Sequence, residues 1–372
     1  MSASQVVDWD VHGLVRVRAE GAPGGVLRHI TEELRAPVPA PAGEPDLRIT
    51  FVDRLPEAGR LRLLGLGAAA YDDEHFYLVG AGGARARIDL AAAGTATELV
   101  CERGLRHVPL LVPLLGLHLA QRDAVLLHAA SFVHRGVGVL VAGWQKGGKS
   151  ETLLPFMAHG AEFVADEWTI VGGSPATMAG IASTALWEWH LRQYPQYWSK
   201  LDAGQQRRIA AWRAAHRAYR AAPGTERLPG PVRRRLQRLM TEGGNPVQAA
   251  GQLDPAVVFD GRVRTDRVPL QRVVLPVATL DRGVELVPDS GAAIAQRMVH
   301  SLDYERSALT TAYQQFRFAF PGRTNPLLER LPVDEQRILT AALQGVPAFE
   351  LRHPYPVRLD ALYEAAAPAL EG

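Results

Sequence analysis

The sequence predicts an α/β protein, and three observations support this fold class. Residues 137–141 form a short apolar, β-branched run of the kind that is buried in a parallel sheet. A glycine-rich turn and a helix-forming segment, residues 151–158, follow it, and residues 162–165 then read as a second short strand. Short alternating apolar segments at residues 14–17, 47–51, 76–79 and 86–90 predict an additional, mostly β unit, with a helix near residues 26–34.

The turn after the first strand has a phosphate-binding pattern. It reads GWQKGGKS and fits G-x-x-x-x-G-K-[ST], the Walker A motif of P-loop proteins. Successive backbone N–H groups would point at phosphate oxygens at the positive end of the new helix, the lysine would reach the terminal phosphates of ATP, and the serine hydroxyl would ligate Mg²⁺. The predicted nucleotide-binding residues are Gly143, Trp144, Gln145, Lys146, Gly147, Gly148, Lys149, Ser150 and Glu151.

Lysine usage argues against a chance match in a glycine-rich chain. The chain contains only three lysines, Lys146, Lys149 and Lys200, and arginine takes almost every other basic position. Arginine is bulkier and forked, so it cannot replace a compact ammonium inside a ring of backbone amides around phosphate. A chain that avoids lysine would therefore keep it in this loop.

Two acids, Asp166 and Glu167, end the second strand. A right-handed strand-helix-strand crossover places that end beside the loop, where Mg²⁺ and the γ-phosphate would meet. One carboxylate would hold the metal, directly or through water, and the other could take a proton from an attacking hydroxyl. The predicted metal ligands are therefore Ser150, Asp166 and Glu167; the alternative is a strand-end turn with solvated acids.

His128 follows an apolar run, residues 125–127, in which a lone histidine is more often a satisfied core residue. Its spacing to Gly143 favours a catalytic role. The predicted catalytic residues are Asp166, His128 and Lys149.

The order of His128, a strand, Gly143-x4-Gly-Lys-Ser-Glu151, a helix and Val-Ala-Asp166-acid resembles the catalytic domain of bacterial HPr kinase/phosphorylase and its HPr-kinase-like relatives. The resemblance covers about forty residues, with a looser similarity over residues 347–362. It implies that His128 lies by the reacting phosphate, that Asp166 is the general base toward a serine hydroxyl, and that Glu167 helps to hold metal. The family usually has aspartate at position 167 and glycine at position 146, and the stretch with which it captures its protein substrate is not found in this chain.

The resemblance implies a P-loop kinase domain of the HPr kinase C-terminal/PEP carboxykinase-like type. We expect residues 123–372 to form it, residues 1–122 to form a mostly β N-terminal domain with a connecting helix, and residues 176–252 to form a helical, arginine-rich insertion. The N-terminal domain would serve packing, oligomer contact or substrate selection, so a homo-oligomer is left open. The insertion, basic and aromatic over residues 190–240, would dock an acidic peptide or phosphorylated substrate; the alternative is an ordinary solvated arginine face. Nucleic-acid binding is not favoured.

Other elements are predicted more coarsely. Residues 103–122, 292–309 and 335–343 read as helices, and residues 256–259 and 272–276 read as strands. Arg262, Arg264 and Arg267 lie between those strands, and one of them could reach the transferring phosphate. The C-terminal residues 347–362 read as a strand, a proline break and a terminal helix.

Composition excludes several classes of protein. The net charge of +2 implies no particular partner, and a single cysteine, Cys101, excludes an internal disulfide framework and fits a reducing cytoplasm. No secretion signal and no apolar run long enough for a membrane span are found.

The sequence therefore predicts a cytoplasmic, ATP-dependent, Mg²⁺-assisted kinase that transfers the γ-phosphoryl group to a hydroxyl, preferably a serine of a protein or modified peptide. The alternatives are a small-molecule alcohol kinase, a nucleotide-binding regulator with little catalysis, and a nucleic-acid-dependent ATPase.

Overall fold

The structure is a computed structural model that describes residues 5–35, 38, 43–181, 184–221 and 253–371. Its described part is mixed α/β, with two mixed β-sheets and helices packed against them. The α/β class predicted from the sequence is therefore confirmed at this level.

The first sheet contains eight strands in the order β1-β2-β3-β8-β7-β6-β5-β4. Their bounds are Val6–Val11 (β1), Val15–Glu20 (β2), Leu47–Val52 (β3), Arg62–Leu64 (β4), Ala69–Tyr71 (β5), Phe76–Val79 (β6), Arg85–Ile88 (β7) and Thr97–Glu102 (β8). Strands β2, β3 and β8 are parallel to one another, and the remaining neighbours are antiparallel. The sequence patterns predicted β2, β3, β6 and β7, which are confirmed, and missed the other four.

The helix predicted near residue 26 is also confirmed. It spans Gly24–Leu34 (α1) and buries Val26, Ile30 and Leu34, which are spaced one turn apart on a single face. This face and helix Leu111–Ala120 (α2) belong to one buried core that continues into the second sheet.

The second sheet contains nine strands, in the order β14-β13-β12-β9-β10-β15-β17-β16, with β11 paired to β9. Their bounds are Ala124–His134 (β9), Val137–Ala142 (β10), Glu162–Ala165 (β11), Trp168–Gly172 (β12), Thr177–Ile181 (β13), Val268–Pro269 (β14), Arg272–Thr279 (β15), Glu285–Asp289 (β16) and Ala348–Pro354 (β17). Every residue of β10 is buried, as its continuous apolar sequence requires.

The remaining helices are Lys149–Ala158 (α3), Glu188–Gln193 (α4), Ala203–Ala221 (α5), Pro255–Val258 (α6), Gly291–Glu305 (α7), Ser307–Ala319 (α8), Pro326–Leu343 (α9) and Leu359–Leu370 (α10), with 3-10 turns at Gly65–Gly67 and Pro195–Lys200. None of the helices in the described ranges has the length and apolar character needed to cross a lipid bilayer.

Three of the expected elements differ from those observed. The strand expected at residues 256–259 is helix α6, because the Asp254 side chain accepts a hydrogen bond from the amide of Ala256 and Pro255 occupies the first helical turn. The helix expected from residue 103 begins only at Leu111, after Leu110 in a left-handed conformation. The helix expected over residues 292–309 is two helices, α7 and α8, that are separated at Arg306.

The segment 176–252, expected to be helical, begins with strand β13 instead. Helices α4 and α5 follow within it, and residues 222–252 lie outside the described part of the chain.

Candidate functional site

Strand β9 brings the glycine-rich loop, residues 143–150, and the acidic pair together. Its neighbours β10 and β11 are both antiparallel to it and flank it on opposite sides, so they are parallel to each other. Ala142, the last residue of β10, pairs with Ala129, and Trp168, which follows the acids, pairs with His128. The start of the loop, the acids and His128 therefore lie at one level of the sheet.

The loop has the backbone geometry of an open helix N-terminus. Gly148, with φ of 103°, precedes helix α3, and no side chain caps that helix. A Cβ on Gly148 would lie 2.6 Å from Nε2 of His353, so both conformation and space require glycine here. The first amides of a helix lack intrahelical acceptors, so this end of α3 offers donors to an anion.

Lys149 is turned into the loop and only 5% exposed. Its Nζ donates to the carbonyl oxygen of Trp144 at 2.9 Å and lies 3.4 Å from that of Gly143. Burial lowers the pKa of Lys149, and surrounding carboxylates, Glu305 first, oppose this shift. The ammonium thus lies inside the ring of loop carbonyls.

Asp166 is a buried carboxylate that bonds two hydroxyl groups. Ser150 donates to its Oδ1 at 2.7 Å, and Thr184 donates to its Oδ2 at 2.6 Å. Burial raises the pKa of Asp166 to about 7, Glu167 adds to the increase, and the two hydroxyl donors only partly offset it. A carboxyl group with this pKa can exchange a proton near neutral pH.

His128 lies between two carboxylates. Its Nδ1 is 2.6 Å from Oε1 of Glu305 at the end of α7, and its Nε2 is 3.4 Å from Oε2 of Glu167. Burial alone would lower the pKa of His128, but these two carboxylates raise it above its usual value. Its ring also packs against Trp168, with centroids 5.3 Å apart.

Glu151, in the first turn of α3, contacts a different histidine of the site. Its Oε1 is 3.4 Å from Nε2 of His190 in helix α4. Burial would raise the pKa of Glu151, but the interaction with His190 lowers it below its usual value.

These groups line one cleft of about 310 Å³, a size within the range of small-ligand sites. Nine of the lining residues were predicted from the sequence: His128, Gln145, Lys146, Gly148, Lys149, Ser150, Glu151, Asp166 and Glu167. Three aromatic residues complete the wall: Trp187, Trp189 and Tyr355. The other predicted loop residues lie outside this lining; Trp144 packs instead against Tyr304, with ring centroids 5.1 Å apart.

One of three arginines, Arg262, Arg264 or Arg267, was expected to reach a transferring phosphate, but none of them is among the described residues that line the cleft. Arg262 donates to the carbonyl oxygens of Met157 and Ala161, and Arg264 pairs with Glu162 and Asp266. Arg267 does not line the cleft either. Among the described lining residues, the lysine and histidine side chains supply the positive charge.

Part of the expected basic docking surface is engaged in internal pairs. Arg192 and Arg213 both pair with the buried carboxylate of Glu188, and Arg213 also lies over the ring of Trp198, 4.8 Å from its centroid. Lys200 pairs with Asp260. These contacts connect α5 to α4 and the 3-10 turn at Pro195–Lys200 to Asp260, which follows α6.

Thr184, Glu305 and the three aromatic wall residues were missed by sequence reasoning. Thr184 follows β13, Glu305 ends α7 and Tyr355 follows β17, so each reaches the cleft from an element distant in sequence. No motif precedes them that could have placed them beside the loop.

The donor set next to the loop fits Mg²⁺. The hydroxyl of Ser150 and the carboxylate of Asp166 are adjacent, and Glu167 follows directly. Mg²⁺ usually takes one or two carboxylates and completes its shell with phosphate oxygens and water. Accordingly, the described residues contain no group of three or more His, Cys, Asp or Glu side chains that could hold a metal by themselves.

No protein-family model matches the chain, and no curated protein has significant sequence similarity to it.

Proposed function

We propose that the protein is a kinase that transfers the γ-phosphoryl group of ATP to a hydroxyl group, with Mg²⁺ as cofactor. The observation that carries this proposal is Asp166: a buried carboxyl group with a pKa of about 7 that contacts Ser150 of the glycine-rich loop. The alternative, a strand-end turn with solvated acids, does not fit a carboxyl group that is only 3% exposed and accepts a hydrogen bond from Ser150 of the loop.

The loop would bind the phosphates through the first amides of α3 and the ammonium of Lys149. In the described state this ammonium is held by loop carbonyls, so phosphate would replace those acceptors. Phosphoryl transfer needs positioning and charge neutralisation more than covalent chemistry. Lys149 and the adjacent His128 lie where negative charge would accumulate.

Asp166 would orient the acceptor hydroxyl and take its proton. Thr184 and Ser150 fix the carboxylate orientation through their hydrogen bonds, and the raised pKa makes the ionised form a competent base near neutral pH. Mg²⁺, held by Ser150 and the acid pair, would neutralise phosphate charge when bound. A serine of a protein or modified peptide is the preferred acceptor, and a small-molecule alcohol is the alternative.

The test is incubation with γ-labelled ATP, Mg²⁺ and candidate peptides encoded beside the gene, read by intact-mass spectrometry. A gain of one phosphate on a peptide by the wild type, and no gain with Lys149→Ala of unchanged fold, is the expected result. Transfer at the wild-type rate by Lys149→Ala would remove the loop from the mechanism.

A nucleotide-binding regulator with little catalysis is the second candidate. It is favoured by the described state of the site, because Lys149 is bonded by loop carbonyls and both oxygens of Asp166 already accept hydrogen bonds. A regulator would bind ATP with negligible turnover on any acceptor, and Asp166→Asn would leave its cellular activity intact.

A further inference from the structure

The wall of the cleft formed by Trp189 and Tyr355 has no role in phosphate chemistry, although it is large and aromatic. Tyr355 is 67% exposed, and its ring meets that of Trp189 edge-to-face, with centroids 6.4 Å apart and an angle of 86°. A solvent-exposed tyrosine beside a half-buried tryptophan leaves ring faces open to a planar ligand.

Both rings lie close in sequence to residues that contact the glycine-rich loop or the helix that follows it. His190, adjacent to Trp189 in α4, contacts Glu151 of α3. Tyr355 follows β17, whose His353 lies 3.4 Å from the carbonyl oxygen of Gly147. By contrast, His128 contacts both Glu167 and Glu305, on the acid side of the cleft.

This arrangement indicates the orientation in which a nucleotide would lie in the cleft. The terminal phosphate belongs near Lys149 and the acids, and the phosphates nearer the sugar belong at the helix N-terminus. Continuing in that direction, a nucleoside passes Glu151 and reaches the rings of Trp189 and Tyr355.

Resting on the proposed function, we infer that Trp189 and Tyr355 form the nucleobase subsite, in which a purine ring stacks on Tyr355 with the tryptophan beside it. Stacking accepts any base, because every base has a π-face. The subsite therefore predicts strong dependence on the presence of a base and weak discrimination between ATP and GTP.

The experiment compares calorimetric binding of Mg-ATP, Mg-GTP and Mg-tripolyphosphate by the full-length wild type and four variants. Tyr355→Ala and Trp189→Ala should each weaken binding of both nucleotides about ten-fold or more and leave tripolyphosphate affinity unchanged. Tyr355→Phe, which keeps the ring, should bind like the wild type. Phe318→Ala removes a ring of comparable exposure, 70%, outside the cleft and is the matched control.

Unchanged ATP affinity in Tyr355→Ala would overturn the inference, and so would a parallel loss of tripolyphosphate binding. A rise in acceptor KM with unchanged nucleotide affinity would assign the wall to the acceptor instead. Equal affinity of the wild type for Mg-tripolyphosphate and Mg-ATP would also overturn the inference, because the base would then contribute nothing to binding. A wild type that binds none of the three would refute the proposed function itself, which distinguishes the two failures.

Discussion

Two buried aspartates, each in a turn that follows a strand, are held in opposite ways. Asp72 follows β5 of the eight-stranded sheet and is 0% exposed, and Asp166 follows β11 of the nine-stranded sheet and is 3% exposed. Asp72 accepts hydrogen bonds from three backbone amides, those of Ala58, Glu74 and His75, and from the hydroxyl of Tyr77. Among the described residues, Asp166 accepts hydrogen bonds from two hydroxyl groups, and it lies beside a second carboxylate.

The two environments shift the pKa values in opposite directions. Burial alone would raise the pKa of Asp72, but its hydrogen bonds hold it well below the usual range, whereas burial and Glu167 raise the pKa of Asp166 to about 7. Burial alone therefore does not determine the direction in which the pKa of a carboxyl group is shifted. The difference lies in the fixed backbone donors, which stabilise the charged form of Asp72 and are replaced at Asp166 by rotatable hydroxyl groups.

The largest expected effect comes from Asp166→Asn, which removes the proposed base and keeps the shape of the side chain. Phosphoryl transfer should fall by about 10² to 10⁴-fold, the contribution of a positioned proton acceptor. Single-turnover transfer of labelled phosphate measures it, with nucleotide binding followed by calorimetry. A variant that keeps the wild-type turnover would place Asp166 with Asp72, as a structural acid.

Asp72→Asn should have the reverse outcome, with unchanged turnover per folded molecule and reduced stability. The amide cannot accept all the hydrogen bonds that the carboxylate accepts, so the free energy of unfolding should fall by about 2 to 4 kcal/mol at pH 7. Urea unfolding measures it. The wild-type stability conferred by Asp72 should be lost as pH falls below the unfolded value of about 4, because its folded pKa is depressed.

Asp166→Asn is the control for the stability measurement on Asp72→Asn, because the shift in the pKa of Asp166 has the opposite sign. The folded pKa of Asp166, about 7, is above the unfolded value, so the folded state binds a proton more tightly and ionisation costs stability as pH rises through 7. The variant should therefore gain stability over the wild type at pH 8, and that gain should shrink at pH 5. A gain that is equal at both pH values would contradict the raised pKa.

The pH dependence of transfer is the next effect in size. Since the base must be ionised, kcat/KM should rise with pH and reach its plateau above about 7. Glu167→Gln removes the neighbouring negative charge that raises the pKa of Asp166, so its profile should move to lower pH. Because Asp166 and Glu167 are also proposed metal ligands, and a bound cation would lower the pKa of Asp166, both proteins are compared through kcat/KM for Mg-ATP without excess Mg²⁺, which reports the pKa of the free enzyme. A profile that stays in place would remove Glu167 as a cause of the shift.

The sequence could predict the loop and the acids because they belong to one short strand-loop-helix-strand unit, residues 137–167, in which adjacency follows from local connection. The mixed α/β class and several strands were accessible from alternation for the same reason. The roles of Thr184 and Glu305 could not be predicted from the sequence. Thr184 contacts Asp166, and Glu305 contacts His128, from elements that only tertiary packing brings near them. The turn around Asp72 reads as a solvated acidic segment, and nothing local indicates that its backbone amides converge on one carboxylate.

The error at residues 256–259 has a local cause. The apolar residues Val257, Val258 and Phe259 suggested a strand. A helix start signal precedes them, however, because Asp254 is an N-cap residue and Pro255 follows it, and the four residues from Pro255 form a helix. The arginines at 262, 264 and 267 were expected at a phosphate because of their charge alone. Arg262 and Arg264 instead bind carbonyl oxygens and acids of neighbouring segments, which the sequence does not reveal.

The smallest expected effect extends the comparison to the two lysines of the loop. Lys149 is buried among carbonyls, whereas Lys146 lines the cleft in a left-handed conformation, with φ of 60°. Glycine adopts that conformation without the steric cost that a side chain brings. Lys146→Gly should change the free energy of unfolding by less than about 1 kcal/mol, because relief of backbone strain is offset by greater freedom of the unfolded chain.

Lys146→Asn separates backbone from charge, since asparagine tolerates the left-handed region and is neutral. If the ammonium of Lys146 contributes to nucleotide binding, both variants should lose the same few-fold affinity for Mg-ATP, and the loss should diminish at high salt. If only the backbone matters, the glycine variant should bind at least as tightly as the wild type. Equal affinity in all three proteins would leave Lys149 as the single lysine of the loop proposed to act on phosphate.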